Sequence, residues 1–190
     1  MALPETGRYF VALDLGPQVL GALGRAQGEL RGSGGPPIRW TRPEAMHLTL
    51  KFLGGSVPRS AAEGAVAAMG PALAGSSPFE IGVRGLGAFP SPERARVLWA
   101  GVEDPSGDLS ALQSSIESEM AGLGPPTREF HAHVTLGRLR DRRGRADLSG
   151  LIEPMAERSF GGVDVREAVL YRSELTPRGP RYEAVAREPL

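Results

Sequence analysis

Apolar and polar positions follow two different periods along the chain. Short segments in which apolar residues are contiguous or recur at every second position predict strands over residues 8–15, 46–53, 78–89, 96–102, 130–136, 163–175 and 181–190. Apolar residues at helical spacing predict helices over residues 17–31, 58–73 and 108–122, with a shorter helix over 148–158. Segments rich in glycine, proline or charged residues, at 32–37, 124–126 and 138–145, are predicted turns.

The order of these predicted elements repeats. Each half of the chain contains a strand, then a helix, then a second strand that carries a histidine. This order favours an α+β fold in which two related lobes enclose a central cleft. No long linker separates the halves, so residues 1–190 are expected to form a single domain.

The composition narrows the class of protein. Hydrophobic residues make up 41% of the chain, which is enough for a packed core, and the absence of cysteine excludes disulfides, thiolate nucleophiles and sulfur-based zinc sites. No apolar run approaches the roughly 20 residues of a membrane helix, and the N-terminal residues lack a signal-peptide pattern, so we expect a cytoplasmic protein. A formal net charge of zero argues against a protein that coats long nucleic acid, but not against an enzyme that binds a single phosphate.

Two of the three histidines lie in the same local sequence, His-x-Thr-Leu. Residues 47–50 read HLTL and residues 133–136 read HVTL. A single histidine on a strand is more often structural than catalytic. Two copies of the same tetrapeptide, on strands at matching places in the two halves, favour a shared active site.

The chemistry of the repeated tetrapeptide follows from strand geometry. Side chains on a strand alternate between its faces, so each histidine shares a face with its threonine while the leucine or valine between them points into the core. Imidazole can accept or donate a proton near neutral pH, and a threonine hydroxyl can donate a hydrogen bond to an anionic oxygen. Two such strands facing a cleft would supply a general base, a general acid and two hydroxyl groups that donate hydrogen bonds to the oxygens of a phosphodiester. This scheme needs no metal ion or other cofactor.

The stretches HLTLKFLG (47–54) and HVTLGR (133–138) resemble the two signature motifs of the two-histidine phosphoesterases. More closely, they resemble those of the RNA 2′,3′-cyclic phosphodiesterase family, also called the 2′-5′ RNA ligase family. Further stretches that resemble this family are RYFVALDL near the start, GLGAFPSPERARVLWAGV at 85–102, and VLYRSEL and RYEAVAREPL near the end. The resemblance therefore covers nearly the whole chain.

The resemblance implies a bilobal α+β fold with antiparallel sheets lining a central cleft. It implies hydrolysis of RNA 2′,3′-cyclic phosphate termini, or of cyclic nucleotides, to 2′-phosphates, with weak 2′-5′ ligation in reverse. His47 and His133 would share the roles of general acid and general base. The sequence leaves that assignment open, although we favour His47 as the acid. Thr49 and Thr135 correspond to the family's phosphate-contacting threonines.

Three more side chains are candidate substrate contacts. Arg138 matches an arginine that follows the second family motif, but strict alternation places it on the face opposite His133. It reaches the site only if the strand ends or bulges at Gly137. Lys51 lies four positions after His47 and shares its face, so it either contacts substrate or is a solvated residue at a strand end.

The third candidate is His131, which shares a face with His133. The family usually has proline directly before the second histidine, whereas this chain reads FHAH at 130–133. His131 either lines the cleft and binds substrate or lies exposed beyond it. An alternative is that His47, His131 and His133 bind a metal ion in a metal-dependent hydrolase, but the repeated threonine has no role in that scheme.

Two other functions remain open at this stage. One is a phosphodiesterase that acts on another small cyclic or 2′-5′-linked nucleotide. The other is a non-catalytic RNA-binding domain, which would use the basic turn made of Arg138, Arg140, Arg142, Arg143 and Arg145. A monomer with no membrane association is expected, because a cleft between two lobes of one chain needs no partner.

Overall fold

Nine strands pair antiparallel in one sheet, in the part of the chain that the computed structural model describes, residues 3–127, 129–141, 144–177 and 179–190. The strands are β1 (Thr6–Leu13), β2 (Ile38–Trp40), β3 (Leu48–Pro58), β4 (Phe79–Phe89), β5 (Val97–Glu103), β6 (His133–Leu139), β7 (Ser159–Val165), β8 (Glu167–Thr176) and β9 (Gly179–Pro189). The helices are α1 (Gly16–Gly32), α2 (Arg59–Leu73), α3 (Asp108–Glu119) and the short α4 (Ser149–Ile152). Single 3₁₀ turns cover Pro43–Ala45, Pro92–Arg94 and Glu153–Met155.

The sheet consists of a four-stranded lobe and a five-stranded lobe, which includes the short β2, and the two lobes meet at its centre. Its strand order is β7-β4-β5-β6-β3-β1-β8-β9, and β2 pairs with β6. Only one residue pair, Leu48 with Val134, joins β3 to β6 in the ladder. The expected α+β fold with two related lobes is confirmed, but the lobes share one continuous sheet. The two strands that carry the repeated tetrapeptide are the inner edges of the lobes.

The lobes do not coincide with the two halves of the sequence. The C-terminal strands β8 and β9 extend the lobe that contains β1 and β3, whereas β4 from the first half pairs with β5 in the other lobe. Helix α1 packs against β7 of the opposite lobe, and α3 packs against β3 and α2. Each His-x-Thr strand is therefore supported by segments that are distant from it in sequence.

Helix α1 illustrates why the apolar pattern gives these elements. Its buried apolar residues are Val19, Leu23, Ala26 and Leu30, which recur at helical spacing on one face. Proline at the start of the helix fits a position whose N–H has no helical partner. Together with α2 and α3, this helix covers one face of the sheet, so the opposite face is free to line a cleft.

The strand predictions were wrong at four places. Strand β6, predicted over 130–136, begins at His133 and ends at Leu139, so it includes the first two residues of the predicted turn 138–145. The segment 163–175, predicted as one strand, belongs to two strands, because β7 ends at Val165 and β8 begins at Glu167. The first part of β7 contains two glycines, one of them with φ of +115°, and therefore has little strand character in its sequence. Three-residue β2 is too short to leave a periodic pattern, and β3 continues past Gly54 to Pro58. No helix among the described residues is long and apolar enough to cross a membrane.

Candidate active site

The four polar side chains of the repeated tetrapeptides lie on the same face of β3 and β6. Leu48 and Val134, which pair across the lobe boundary, are both 0% exposed on the core side. Alternation places the residues on either side of them on the opposite face. Extending this single antiparallel pair by one residue along each chain places His47 across from Thr135 and Thr49 across from His133. The site thus has two equivalent halves related by an approximate twofold axis.

Both imidazoles are oriented by the same hydrogen bond. Nδ1 of His47 lies 3.0 Å from the carbonyl oxygen of Ala45, and Nδ1 of His133 lies 2.6 Å from that of His131. A carbonyl can only accept, so each Nδ1 carries the proton and donates it to a backbone oxygen two residues earlier. Each Nε2 is consequently left to exchange a proton in the cleft.

Burial lowers the pKa of both histidines below the usual value. For His47 burial has the largest effect, while the hydrogen bond to Ala45 and the negative charge of Asp14 partly oppose it. For His133 burial is again the largest cause, and the hydrogen bond to His131 partly opposes it. The charges of His131 and Arg138 lower the pKa of His133 further. Both rings therefore favour the neutral form more than a free histidine does.

Aromatic side chains enclose each imidazole. Phe10 stacks on His47 with ring centroids 4.6 Å apart, and Tyr182 meets the same ring edge-on at 5.1 Å. Phe89 meets His133 edge-on at 5.0 Å. These contacts remove water from the rings and fix their planes, which explains the burial that lowers the two pKa values. Phe10 was not predicted at the site, because residues 9–13 are all apolar and their pattern does not separate the cleft face from the core face.

A β-bulge in β3 corrects the prediction for Lys51. In the pairing with β1, Val11 faces Lys51 and Ala12 faces Thr49, so Leu50 is an extra residue that reverses the alternation after it. Lys51 therefore points into the helix layer. It is 1% exposed, and its Nζ lies 2.7 Å from Oε1 of Glu117 on α3. Neither the predicted substrate contact nor the solvated alternative describes it.

The equivalent bulge in β6 has the opposite consequence for Arg138. In the pairing with β5, Leu98 faces Gly137 and Trp99 faces Thr135, so Leu136 is the extra residue. The alternation reverses after it, and Arg138 returns to the face that carries His133. From the sequence, Arg138 was expected to reach the site only if this strand ended or bulged near Gly137, and the bulge is present.

The surroundings of Arg138 agree with a position in the cleft. Burial lowers the pKa of its guanidinium; among neighbouring groups, Tyr182 raises the pKa and Arg8 lowers it. Arg8 lies over the ring of Phe52, with 4.4 Å between the guanidinium carbon and the ring centroid. Phe52 follows the β3 bulge as Arg138 follows the β6 bulge. Neither Arg8 nor Phe52 was predicted at the site, because the bulge at Leu50 leaves no pattern in the sequence.

A buried glutamine supports each bulge. Nε2 of Gln27 on α1 donates to the carbonyl oxygen of Leu136 at 2.8 Å, and Nε2 of Gln113 on α3 donates to that of Leu50 at 3.5 Å. The two glutamines are separated by the same number of positions as the two histidines. This second repeat is visible in the sequence but was not predicted to have a role.

His131 lies at the border of the site rather than in its centre. Its side chain is exposed, and its ring centroid is 5.0 Å from that of Trp99, 5.2 Å from that of Phe89 and 6.2 Å from that of His133. Among the described residues, no three histidine, aspartate or glutamate side chains come together in a way that could hold a metal ion. The alternative set of His47, His131 and His133 is therefore not assembled as a metal site.

The basic turn is only partly described. Arg142 and Arg143 lie outside the described residues, and Arg140 and Arg145 are exposed. Arg138 is the member of this set that the bulge in β6 directs toward the histidines.

Comparison with known families agrees with this geometry. The profile of the LigT-like phosphoesterase family matches residues 13–99 and 101–182. The chain belongs to this family. It is 38% identical over 176 residues to a protein of Methanothermobacter thermautotrophicus named RNA 2′,3′-cyclic phosphodiesterase, covering 92% of this chain and 94% of that protein.

Solved structures of family members share the fold. The crystal structure of TT0787 from Thermus thermophilus has a TM-score of 0.75 and 28% identity, and covers 96% of this chain and 97% of that one. E. coli LigT complexed with 3′-AMP has a TM-score of 0.74 and 26% identity, with coverage of 98% and 99%. The two-lobed sheet is thus the fold of LigT-like phosphoesterases, as the resemblance implied.

Proposed function

We propose that this protein hydrolyses 2′,3′-cyclic phosphate termini of RNA to 2′-phosphates by general acid and base catalysis. The observation that carries the proposal is the paired arrangement of His47 and His133, each with Nδ1 fixed by a backbone carbonyl and Nε2 left for proton transfer. Relatives that bear the name RNA 2′,3′-cyclic phosphodiesterase support the choice of substrate.

The proposed reaction is an in-line displacement at phosphorus. One imidazole takes a proton from water as its oxygen attacks, and the other gives a proton to the 3′ oxygen as the bond between phosphorus and that oxygen breaks. The hydroxyls of Thr49 and Thr135, together with the guanidinium of Arg138, donate hydrogen bonds to the non-bridging oxygens, where charge develops. The product keeps its phosphate on the 2′ oxygen. Attack by a 5′-hydroxyl group in place of water, with the same departure of the 3′ oxygen, would join two RNA ends through a 2′-5′ linkage.

We assign His47 as the general acid and His133 as the general base. Burial lowers the pKa of both, so neighbouring charges distinguish them. The negative charge of Asp14 favours protonated His47 and exceeds the opposing effect of His133, whereas the positive charge of Arg138 disfavours protonated His133. All of these groups come from one chain, so the proposed site is complete in a monomer.

Hydrolysis of adenosine 2′,3′-cyclic phosphate, and of a short RNA with that terminus, tests the proposal. The assay is run in EDTA and resolves 2′-phosphate from 3′-phosphate product. We expect a chelator-resistant 2′-phosphate product, with kcat/KM reduced by about 10²-fold or more in His47→Ala and in His133→Ala. His131→Ala is the comparison variant: it removes a histidine that transfers no proton but lines the neighbouring pocket, so its effect should stay well below that of the other two variants.

Three results would contradict the proposal. Activity that EDTA abolishes and zinc restores would indicate a metal-dependent enzyme. Binding of the RNA without turnover by the folded protein would indicate a non-catalytic RNA-binding domain. Turnover of other cyclic or 2′-5′-linked nucleotides, with none of RNA 2′,3′-cyclic ends, would leave the two-histidine mechanism but change the substrate.

A further inference from the structure

A pocket of about 510 Å³ opens directly beside the proposed phosphate site. It shares His133 and Thr49 with that site, and its walls include the rings of Phe52, Phe89 and Phe130. Its volume is within the usual range for small-molecule sites. A group attached to the reacting phosphate would therefore enter a space with three aromatic walls.

Apart from the two residues shared with the phosphate site, the pocket has three polar residues, Thr127, Glu129 and His131. Thr127 is already engaged with Glu117 through its side chain and through its backbone N–H, which donates to Oε1 at 3.1 Å. Glu129 lines the pocket and is exposed. Within the part of the chain that the structure describes, no cation forms an ion pair with Glu129. Its carboxylate is therefore available to accept hydrogen bonds from a bound group.

Two guanidinium groups lie near the proposed phosphate site. Arg138 emerges after the β6 bulge, and Arg8 lies over Phe52, close enough to Arg138 for its charge to lower the pKa of that guanidinium. A further phosphate of an RNA strand is attracted to these guanidinium groups and repelled by the carboxylate of Glu129. The charges therefore favour a nucleotide bound with its backbone toward the arginines and its base toward Glu129.

We propose that this pocket binds the nucleobase of the terminal nucleotide and that Glu129 selects guanine. The proposal rests on the proposed function, since it assigns the base of that same substrate. Aromatic walls bind any base by stacking, so they do not discriminate. A carboxylate does, because it can only accept hydrogen bonds. Guanine presents two adjacent donors, N1–H and the N2 amino group, to its two oxygens.

The other bases match this carboxylate less well. Adenine and cytosine each place an acceptor ring nitrogen next to the amino group, and the single N–H of uracil lies between two carbonyl oxygens. A good bidentate pair discriminates by about 1–3 kcal/mol, which is roughly 5- to 150-fold in kcat/KM. We expect the order guanosine first, adenosine and cytidine next, and uridine last.

The test measures kcat/KM for the 2′,3′-cyclic phosphates of guanosine, adenosine, cytidine and uridine. The variants are Glu129→Gln and, as a matched control, Glu63→Gln, which changes an exposed glutamate on α2. We expect the wild-type protein to prefer guanosine over uridine by about tenfold or more. Glu129→Gln should lose most of this preference by slowing the guanosine substrate alone, and Glu63→Gln should keep it.

Equal kcat/KM for all four bases in the wild-type protein would overturn the proposal. An equal effect of Glu129→Gln on every base would overturn it as well. If no cyclic phosphate is hydrolysed, the proposed function fails. A binding measurement then tests the base pocket separately from catalysis. Calorimetry with guanosine 2′-monophosphate and uridine 2′-monophosphate should then still show the guanosine preference in wild type and its loss in Glu129→Gln. Equal affinities would refute the base pocket independently.

Discussion

The side-chain amide of Gln27 lies 2.8 Å from the carbonyl oxygen of Leu136, the extra residue of the β6 bulge. The glutamine is 1% exposed, and it also donates to the carbonyl of Thr41 at 2.8 Å. The backbone N–H of Thr41 donates to the same Leu136 oxygen, also at 2.8 Å. The bulge that returns Arg138 to the cleft is therefore held from helix α1, which packs against the lobe that contains β6.

Replacement of Gln27 by leucine should weaken the bulge. The change removes the donor to the buried carbonyl of Leu136 and to the partly buried carbonyl of Thr41, so we expect the free energy of unfolding in urea to fall by about 1–3 kcal/mol. A shift of Arg138 away from the phosphate should also lower kcat/KM, by between about tenfold and a hundredfold. Unfolding curves and steady-state kinetics on the same preparations measure the two effects.

Two controls separate positioning from stability. Val19→Ala shortens a buried side chain elsewhere on α1, and should reduce stability while kcat/KM stays near the wild-type value. Gln113→Leu removes the longer 3.5 Å bond at the β3 bulge, which does not direct Arg138, and should have the smaller effect on kcat/KM. If Val19→Ala lowers kcat/KM as much as Gln27→Leu does, Gln27 has no positioning role.

The ion pair of Lys51 and Glu117 should be required for stability. Burial alone would raise the pKa of Glu117, but hydrogen bonds from Lys51 and Thr127 outweigh burial and hold that pKa below the usual value. Glu117→Gln leaves the 1% exposed ammonium of Lys51 without its counter-charge. We expect the free energy of unfolding to fall by about 3 kcal/mol in urea denaturation.

The double variant Lys51→Met with Glu117→Leu is the informative partner of that experiment. Replacing both charges by apolar groups removes the unpaired ammonium, so the double variant should recover most of the stability that Glu117→Gln loses. A double variant that is less stable than Glu117→Gln would mean that the pair contributes net stability beyond compensating its own burial.

The sequence predicted the helices and most strands because those elements have strong apolar periods. It also predicted the convergence of the histidines and threonines, since strand alternation fixes their common face once the two strands become neighbours. It failed for Lys51, because a bulge adds one residue and reverses the alternation without leaving a mark in the pattern. The bulge at Leu136 was predicted only conditionally, as what Arg138 would need in order to reach the site. The neighbouring Gly137 permits a bulge but does not require one.

The second part of the site that escaped prediction comes from long-range packing. Phe10 stacks on His47 because β1 pairs with β3, so the order of strands in the sheet decides this contact. The local sequence around each aromatic residue contains no information about which strand will be its neighbour.

The pH dependence of kcat/KM should follow from the lowered pKa values of both histidines. The base must be neutral, so activity falls as pH drops through its pKa; the acid must be protonated, so activity falls as pH rises through its own. Both values lie below the ordinary 6.5, so the maximum of kcat/KM should lie below pH 6.5 and activity should decline toward neutral pH. A maximum above that value, measured with a cyclic phosphate at constant ionic strength, would contradict the lowered pKa values.

The acid and base roles can be separated by changing the leaving atom. Hydrolysis to a 2′-phosphate breaks the bond between phosphorus and the 3′ oxygen, and an alkoxide leaves slowly unless it is protonated. In a substrate with sulfur at the 3′ position the leaving group is a thiolate, whose conjugate acid has a pKa near ~8.5 and needs no catalytic proton. Loss of the general acid should therefore matter little for this substrate, whereas loss of the general base should matter as before.

With the 3′-thio cyclic phosphate, kcat/KM of His47→Ala should rise to within about tenfold of the wild-type value, while His133→Ala should remain slower by about 10²-fold or more. The reason is that water still has to lose its proton when sulfur leaves. The comparison uses, for each variant, the ratio of kcat/KM with the oxygen substrate to kcat/KM with the sulfur substrate. This ratio is independent of the amount of active protein. Rescue of His133→Ala instead of His47→Ala would reverse the assignment. Equal impairment of both variants would mean that neither histidine acts solely as the acid.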